Sequence, residues 1–262
     1  GDHRDLHSFP TLRSSDLRMI EKHLPLLKRK HQIDQCIVNG ENAWRGKGLN
    51  RAVADQLFNS GIHIITSGNH IWDQREIHDV IDQEDRLIRP ANYPEGTPGR
   101  GWTSSWAGSS GVQYAVINLM GRAFLSELDC PFRTLDRILS EIPSEITIRI
   151  LDFHAEATSE KMAMANYAIN RVSAVIGTHT HVQTADEQIM GDGTGYITDV
   201  GMTGAFDSIL GVNTEAVLQR FLTHLPTRFV TAEGRGQLDA VLLSIQPSNG
   251  QTTEIQRIQI RE

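Results

Sequence analysis

Four short clusters of carboxylate, amide and imidazole side chains carry the chemistry that this 262-residue sequence could perform. They are Gly40-Glu41-Asn42, Ser67-Gly68-Asn69-His70, His154 and His179-Thr180-His181. Each cluster alone has an ordinary structural explanation, because Asn-Gly favours hairpins and glycine and asparagine are common in turns. A histidine after an apolar run is usually a hydrogen-bonded core residue. Function must therefore be argued from what the clusters share.

Each cluster follows a short, β-rich apolar run. The runs are Ile33–Asn39, Ile62–Thr66, Thr147–Phe153 and Ala174–Ile176. In an α/β fold the carboxyl ends of such strands meet at one edge, where ligands bind. The pattern therefore predicts one metal-binding rim formed by Glu41, Asn42, Asn69, His154, His179 and His181.

The types of ligand limit which metal ions the site is expected to bind. Oxygen and imidazole ligands without thiolates suit manganese, iron or zinc better than calcium or magnesium. His179 and His181 are two residues apart, so on an extended segment both rings project to the same side. Two ions about 3.5–4 Å apart would clamp the attacking and leaving oxygens of a phosphoryl displacement.

Strand-like and helix-like segments alternate from about residue 33, which predicts a single α/β domain over residues 18–262. Further strands are expected at 113–118, 195–200 and 239–245, and helices at 19–30, 51–59, 76–82, 131–141 and 158–170. Residues 1–17 contain no buried-strand pattern. We expect that segment to be non-native or disordered.

The amino-acid composition limits the kinds of molecule that the protein is expected to bind. A net charge of -7, with no long run of Lys or Arg, argues against binding of a nucleic-acid duplex but allows a small anionic substrate. Two cysteines are too few for a disulfide framework or a thiolate metal site. No apolar stretch approaches the roughly 20 residues of a membrane span, so the expected location is the cytoplasm and no membrane partner is expected.

Several longer segments of the sequence resemble those of a known protein family. They are Val38–Ala43, Gly46–Leu49, Gly68–Asp73, Arg89–Gly99, Asp152–Lys161, Gly177–Asp186 and Tyr196–Gly204. Together with the order of the clusters, they resemble the calcineurin-like metallophosphoesterase superfamily and, more narrowly, the YmdB-like bacterial phosphodiesterases. The similarity runs from about Arg18 to the C-terminus.

The resemblance implies a four-layer α/β/β/α sandwich that binds two iron or manganese ions, with zinc as the alternative. It also implies a homo-oligomer that hydrolyses 2',3'-cyclic nucleotides or related cyclic mononucleotides by attack of a metal-bridged hydroxide. Glu41 would bridge both ions, and His70 would donate a proton to the leaving group. Carried over in the same way, the first ion would be held by Asn42 and His181, and the second by Asn69, His154 and His179.

The sequence departs from the family at its N-terminus. The family opens with an apolar strand that ends in Gly-Asp, whose aspartate binds the first ion, and no such strand precedes Asp2 or the Asp5-Leu6-His7 segment. We interpret both matches as accidental and expect one metal to bind well and the other poorly. An impaired, nucleotide-binding regulatory protein of the same fold is therefore the alternative function. A metal-dependent amidohydrolase barrel is a weaker alternative, because its His-x-His pair normally follows the first strand.

Overall fold

A computed structural model describes residues 15–44, 46–108 and 111–262 of the chain. The helices are α1 (Ser15–His31), α2 (Arg51–Asn59), α3 (Ile77–Val80), α4 (Pro131–Glu141), α5 (Thr158–Ala168) and α6 (Thr214–Thr223). The strands are β1 (Ile37–Asn39), β2 (Ile64–Thr66), β3 (Trp102–Ala107), β4 (Val112–Met120), β5 (Ile148–His154), β6 (Ala174–Thr178), β7 (Gln188–Met190), β8 (Thr194–Ile197), β9 (Thr203–Ala205), β10 (Gly236–Ile245) and β11 (Thr252–Arg261).

The central layer is a six-stranded sheet with the order β3-β4-β5-β6-β8-β7. Strands β4, β5, β6 and β8 run parallel, while β3 and β7 are antiparallel additions at the two edges. The middle strands are nearly continuous apolar runs because helices α4 and α5 bury one face and a second strand layer buries the other. Leu135 of α4, Met164 of α5 and Phe153 of β5 lie in the core on the helical side.

A second strand layer covers the other face of this sheet. It contains the parallel pair β1-β2 and the antiparallel group β11-β10-β9. Alternate residues of β1 and β10 point to opposite sides: Val38 and Leu238 pack with helices α1 and α2, whereas Ile37 and Leu243 pack against the six-stranded sheet. The molecule is therefore an α/β/β/α sandwich, and the expected α/β fold class is confirmed. The described strands form open sheets and not the closed barrel of the amidohydrolase alternative.

The structure extends the sequence prediction at the edges of the sheets. Helices α2 and α4 match the predicted bounds, while β1 is shorter than the predicted run and begins at Ile37. Strands β3, β7, β9 and β11 and helix α6 were not predicted. Strand β11 is largely exposed and its apolar residues are interrupted by charged and amide side chains, so pairing with β10 specifies it more than its own pattern does.

The structure describes only the last three residues of the segment 1–17 that was expected to be non-native or disordered. Residues 1–14, which include Asp2, Asp5 and His7, lie outside the described residues. Helix α1 begins at Ser15, and Leu17 is buried among the residues that α1 and α2 pack together. Among the described residues, no helix is both long and apolar enough to cross a lipid bilayer.

Two matched leucine substitutions test this assignment of core and surface. Leu135→Ala in α4 removes a fully buried side chain and should lower the free energy of unfolding by about 2–5 kcal/mol. Leu222→Ala in α6 removes a side chain that is 81% exposed and should change it by less than about 0.5 kcal/mol. Denaturant unfolding followed by circular dichroism measures both, and equal losses would contradict the layer assignment.

Candidate metal centre

The four predicted clusters follow four strand ends that meet between the two strand layers. Strands β1 and β2 end at Asn39 and Thr66, and β5 and β6 end at His154 and Thr178. The buried Asp152 joins the layers, since it accepts hydrogen bonds from Asn39 Nδ2 at 3.1 Å and from Thr66 Oγ1. The loops after these strands therefore face one another.

All six predicted metal ligands lie together at this place. Ligand atoms of Glu41, His154 and His179 are all within 4.8 Å of one another, and all three residues are buried. Asn69 Oδ1 is 3.0 Å from His154 Nε2. Asn42 Nδ2 lies 3.1 Å from Glu41 Oε1 and 3.3 Å from His181 Nε2.

Hydrogen bonds on the far side of the His154 ring determine which nitrogen carries the proton. Thr178 Oγ1 lies 2.7 Å from Asp152 Oδ1 and 3.0 Å from His154 Nδ1. A hydroxyl group has one hydrogen, and because a carboxylate only accepts, that hydrogen goes to Asp152. The Thr178 oxygen therefore accepts a hydrogen bond from His154 Nδ1–H. His154 Nε2 is left as a bare lone pair that points into the centre.

Other lone pairs surround this nitrogen. Glu41 Oε1 lies 3.3 Å from His154 Nε2 and His179 Nδ1 lies 3.0 Å from it. The Glu156 carboxylate lies 2.9 Å from His179 Nε2, and its negative charge favours a proton on that nitrogen and an unprotonated Nδ1. Acceptors that converge without a proton repel one another unless a cation lies among them. This donor set therefore fits a bound metal ion.

Burial keeps the His154 ring unprotonated, which is the form that binds a metal ion. Desolvation lowers the pKa of His154 well below its ordinary value, and the charges of His179 and Lys161 lower it further. The ring is therefore neutral, as a ligating histidine must be. Burial raises the pKa of Asp152 to about 6, although hydrogen bonds from Thr66 and Thr178 oppose that shift. Near neutral pH Asp152 is thus mostly ionised and accepts the Thr178 hydrogen.

The loop that carries His179 and His181 has an unusual backbone. The φ angles of these two residues are +106° and +65°, in a region that side-chain-bearing residues seldom adopt. Asp199 holds the loop, because its Oδ2 accepts hydrogen bonds from Thr180 N at 2.9 Å and Thr180 Oγ1 at 2.8 Å. Lys161 Nζ lies 2.7 Å from the same oxygen, in an ion pair whose side chains are 1% and 0% exposed. A buried charge pair thus positions both imidazoles.

His70 lies beside the centre, and its ring is held by Asp73. Its backbone N–H donates to Glu41 Oε2 at 3.2 Å, and its Nδ1 lies 2.7 Å from Asp73 Oδ2. Lys47 Nζ is 3.6 Å from the same Asp73 oxygen. His70 Nε2 is buried and has no hydrogen-bond partner among the described residues. The ring is therefore oriented through Nδ1, which leaves Nε2 free to exchange a proton with a ligand.

The absence of a side chain at Gly68 leaves space for the side chains of His154 and Glu41. A Cβ at Gly68 would overlap His154 Nε2 and Glu41 Oε2. Any side chain at this position would therefore enter the centre and displace the two residues that meet there.

Sequence reasoning missed the residues that support the ligands. These are Asp73, Glu156, Thr178, Lys161 and Asp199, together with Asp152 as the link between the layers. Only Asp73 carried a local signal, since it is three residues after His70 and the turn between them is a short 3-10 helix, Ile71–Asp73. Each of the others contacts a partner that is distant in sequence, as Thr178 does with His154 and Asp199 with Thr180, so only the fold brings the pairs together.

Substitution of Thr178 tests the assigned tautomer of His154. Thr178→Val keeps the shape of the side chain but removes the oxygen that accepts from His154 Nδ1, so affinity for Mn²⁺ should fall about 10- to 100-fold. Thr178→Ser keeps the hydroxyl and should bind Mn²⁺ with nearly unchanged affinity. Isothermal titration calorimetry on both variants gives the answer. Equal affinity of the valine variant and the parent protein would show that Thr178 does not orient His154.

Comparisons with known proteins identify the family. A family model described as YmdB-like protein matches residues 13–258. The chain is 49% identical over 244 residues to the 2',3'-cyclic-nucleotide 2'-phosphodiesterase of Bacillus subtilis (strain 168), with 93% of this chain and 92% of that protein covered.

Two crystal structures are similar over almost the whole chain, each with a TM-score of 0.88. One is a hypothetical protein from Thermus thermophilus, at 40% identity with 97% of both chains covered. The other is described as a novel phosphatase from Mycoplasma pneumoniae, at 31% identity with 94% of this chain and 89% of that chain covered. These findings confirm the family prediction, and the chain belongs to the YmdB-like protein family.

Proposed function

We propose that this protein is a metal-dependent phosphodiesterase that hydrolyses 2',3'-cyclic nucleotides or related cyclic mononucleotides. The observation that carries the proposal is the buried convergence of lone pairs from Glu41, Asn69, His154 and His179 beside the oriented ring of His70. A relative that is 49% identical over nearly the whole chain is a 2',3'-cyclic-nucleotide 2'-phosphodiesterase, which supports the same reaction class.

We assign the metal ligands as two groups that share one carboxylate. Asn69, His154 and His179 would hold one ion, Asn42 and His181 the other, and Glu41 lies between the groups. The mixed oxygen and imidazole set suits iron or manganese, with zinc as the alternative. Metal ions held by these residues would supply a Lewis acid for the phosphate oxygens and would lower the pKa of a bound water.

His70 is the proposed proton donor to the ribose oxygen that leaves phosphorus. Asp73 fixes the ring through Nδ1, so Nε2 is the nitrogen from which a proton can be transferred. A general acid at this position avoids release of an unstable alkoxide, which contributes roughly 10²- to 10⁴-fold to a rate. Lys47 Nζ lies 3.6 Å from Asp73 Oδ2, so a lysine charge lies beside the carboxylate that orients the ring.

The substrate that fits these features is a small phosphodiester. A net charge of -7 opposes binding of a long polyanion, whereas a few local cations and metal ions favour one small anion inside the centre. The expected homo-oligomer and the expected cytoplasmic location stay predictions.

The alternative is a regulatory protein that binds a nucleotide without turnover. It is favoured by one observation, namely that the group of possible metal ligands among the described residues, Glu41, His154 and His179, contains no aspartate. Metal content measured by mass spectrometry, together with hydrolysis of 2',3'-cyclic AMP, separates the two functions. Two metals per chain with turnover support the enzyme, whereas nucleotide binding with no turnover in the metal-loaded protein supports the regulator.

A matched pair of histidine substitutions tests the metal assignment. His179→Ala removes a buried ligand and should raise the Kd for Mn²⁺ by more than about tenfold. His78→Ala removes an exposed ring outside the centre and should leave the Kd unchanged. Equilibrium dialysis of each variant measures this difference. If both variants retained the metal equally, the ligand set would be wrong.

The role of His70 is tested by the leaving group of the substrate. His70→Ala should keep bound metal but lower kcat for 2',3'-cyclic AMP by about 10²- to 10⁴-fold. Bis(p-nitrophenyl) phosphate has a leaving group that needs little protonation, so its hydrolysis should fall far less. An equal loss on both substrates would contradict proton donation and indicate that His70 only positions the substrate.

A further inference from the structure

The loop that follows β4, residues 121–129, begins beside the metal centre. Strand β4 runs parallel to β5 and its last residue, Met120, pairs with His154, so the chain leaves β4 next to a proposed metal ligand. Gly121 N then donates a hydrogen bond to His154 O at 2.9 Å. The start of this segment, which we call the β4 loop, is therefore tied to the backbone of that ligand.

The buried side chain of Asn92 holds the two ends of the β4 loop together. Its Nδ2 donates to Met120 O at 2.8 Å and to Asp129 O at 3.0 Å. Its Oδ1 accepts a hydrogen bond from Met120 N at 2.9 Å, and its backbone O accepts one from Asp129 N at 3.0 Å. Asn92 is 0% exposed, so water does not compete for these bonds. Loops whose ends are held close in this way are compact and frequently functional.

A carboxylate holds the backbone in the first half of the β4 loop. Glu160, in the first turn of α5, accepts hydrogen bonds from Arg122 N at 2.9 Å and from Ala123 N at 3.1 Å. Two successive peptide N–H groups are thus bound to one side chain. The next residue, Phe124, is presented from a backbone that is already anchored.

Phe124 combines two unfavourable features. Its side chain is 89% exposed, the largest exposed fraction of any large apolar side chain in the described part of the chain. Its φ angle is +64°, in the left-handed region that a bulky residue adopts only as an outlier. An exposed ring contributes little to burial, and the left-handed backbone costs free energy. Folding alone therefore does not account for an aromatic residue at this position.

The β4 loop lies on the same side of the metal centre as His70. Asn118 of β4 accepts a hydrogen bond at 3.0 Å from Ser67 N, in the segment that leads to Asn69 and His70. Strand β6, which His179 follows, lies on the other side of β5. The centre is therefore flanked by Phe124 and His70 on one side and by the His179 loop on the other.

The proposed reaction requires the nucleoside to lie on the His70 side. His70 donates a proton to the ribose oxygen that leaves phosphorus, so the ribose and its base must be on the side of phosphorus that faces this ring. Phe124 is three residues after Gly121, and at 3.8 Å per residue their Cα atoms are at most about 11 Å apart. That distance is comparable with the length of one nucleoside.

We propose that Phe124 binds the base of the cyclic nucleotide by stacking, an inference that rests on the proposed function of the centre. An exposed aromatic ring on an anchored backbone offers a flat apolar face to a base. Because every base has such a face, stacking favours nucleotides over cyclic phosphates that lack a base and discriminates little among the bases. The metal centre would then select the phosphodiester, and Phe124 the nucleoside attached to it.

A pair of substrates tests this role by kinetics. 2',3'-Cyclic AMP and glycerol 1,2-cyclic phosphate share the five-membered cyclic phosphate, but only the first carries a base. Phe124→Ala should lower the ratio of their kcat/KM values about 5- to 150-fold, mainly through the KM for the nucleotide. Phe124→Tyr keeps an aromatic ring and should recover most of that ratio.

Trp106 provides a matched control for loss of an exposed aromatic ring. It is 59% exposed and lies on β3, where it pairs with Gln113 at the opposite end of β4 from Met120. Trp106→Ala should therefore leave the ratio unchanged. An equal fall in the ratio for Trp106→Ala and Phe124→Ala would overturn the proposal.

A binding measurement makes the test independent of turnover. Phe124→Trp is introduced into the metal-loaded His70→Ala protein, and tryptophan emission is followed during titration with each cyclic phosphate. Stacking of the base on the new indole should quench emission with 2',3'-cyclic AMP and not with glycerol 1,2-cyclic phosphate. The His70→Ala protein that keeps Phe124 gives the contribution of the other tryptophans.

The outcomes distinguish this inference from the proposed function. Quenching by the nucleotide, combined with no hydrolysis by the parent protein, would support base binding and overturn the proposed function. Hydrolysis by the parent with an unchanged ratio in Phe124→Ala would overturn base binding alone. Absence of quenching would overturn base binding whether or not the parent is active. Dissociation of an oligomer by Phe124→Ala, with the ratio unchanged, would instead assign the ring to a contact between copies of the chain.

Discussion

The hydrogen bond between His154 Nδ1 and Thr178 Oγ1 is the interaction on which the centre depends. Thr178 has already given its hydrogen to Asp152, so it can only accept from the ring, and His154 Nε2 must remain bare. The buried lone pair of His154 Nε2 therefore faces Glu41 and Asn69, which contribute only acceptor oxygens. Asp152 also joins the two strand layers, and the same carboxylate thus supports both the fold and the chemistry.

A second constraint acts on the loop that follows β6. The left-handed backbone at His179 and His181 costs free energy, of order 1–3 kcal/mol per residue, and persists only where surrounding contacts impose it. Asp199, which is paired with Lys161, imposes this backbone conformation because its carboxylate accepts two hydrogen bonds from Thr180. Buried ion pairs contribute little net stability, because desolvation offsets their attraction. The role of this pair is therefore to fix the positions of the His179 and His181 imidazoles, and not to stabilise the fold.

The sequence predicted the centre better than it predicted the sheets around it. Glu41, Asn69, His154 and His179 follow apolar runs, and the rule that parallel strands end at one edge brings them together in two pairs, one for each sheet. The two pairs meet because the sheets pack on each other and Asp152 joins them. The supporting groups could not be found in this way, since Asp199 acts on residues about 20 positions earlier and Thr178 looked like the end of a strand. Strand β11 was missed because its exposed, polar pattern is specified by pairing with β10 and not by burial.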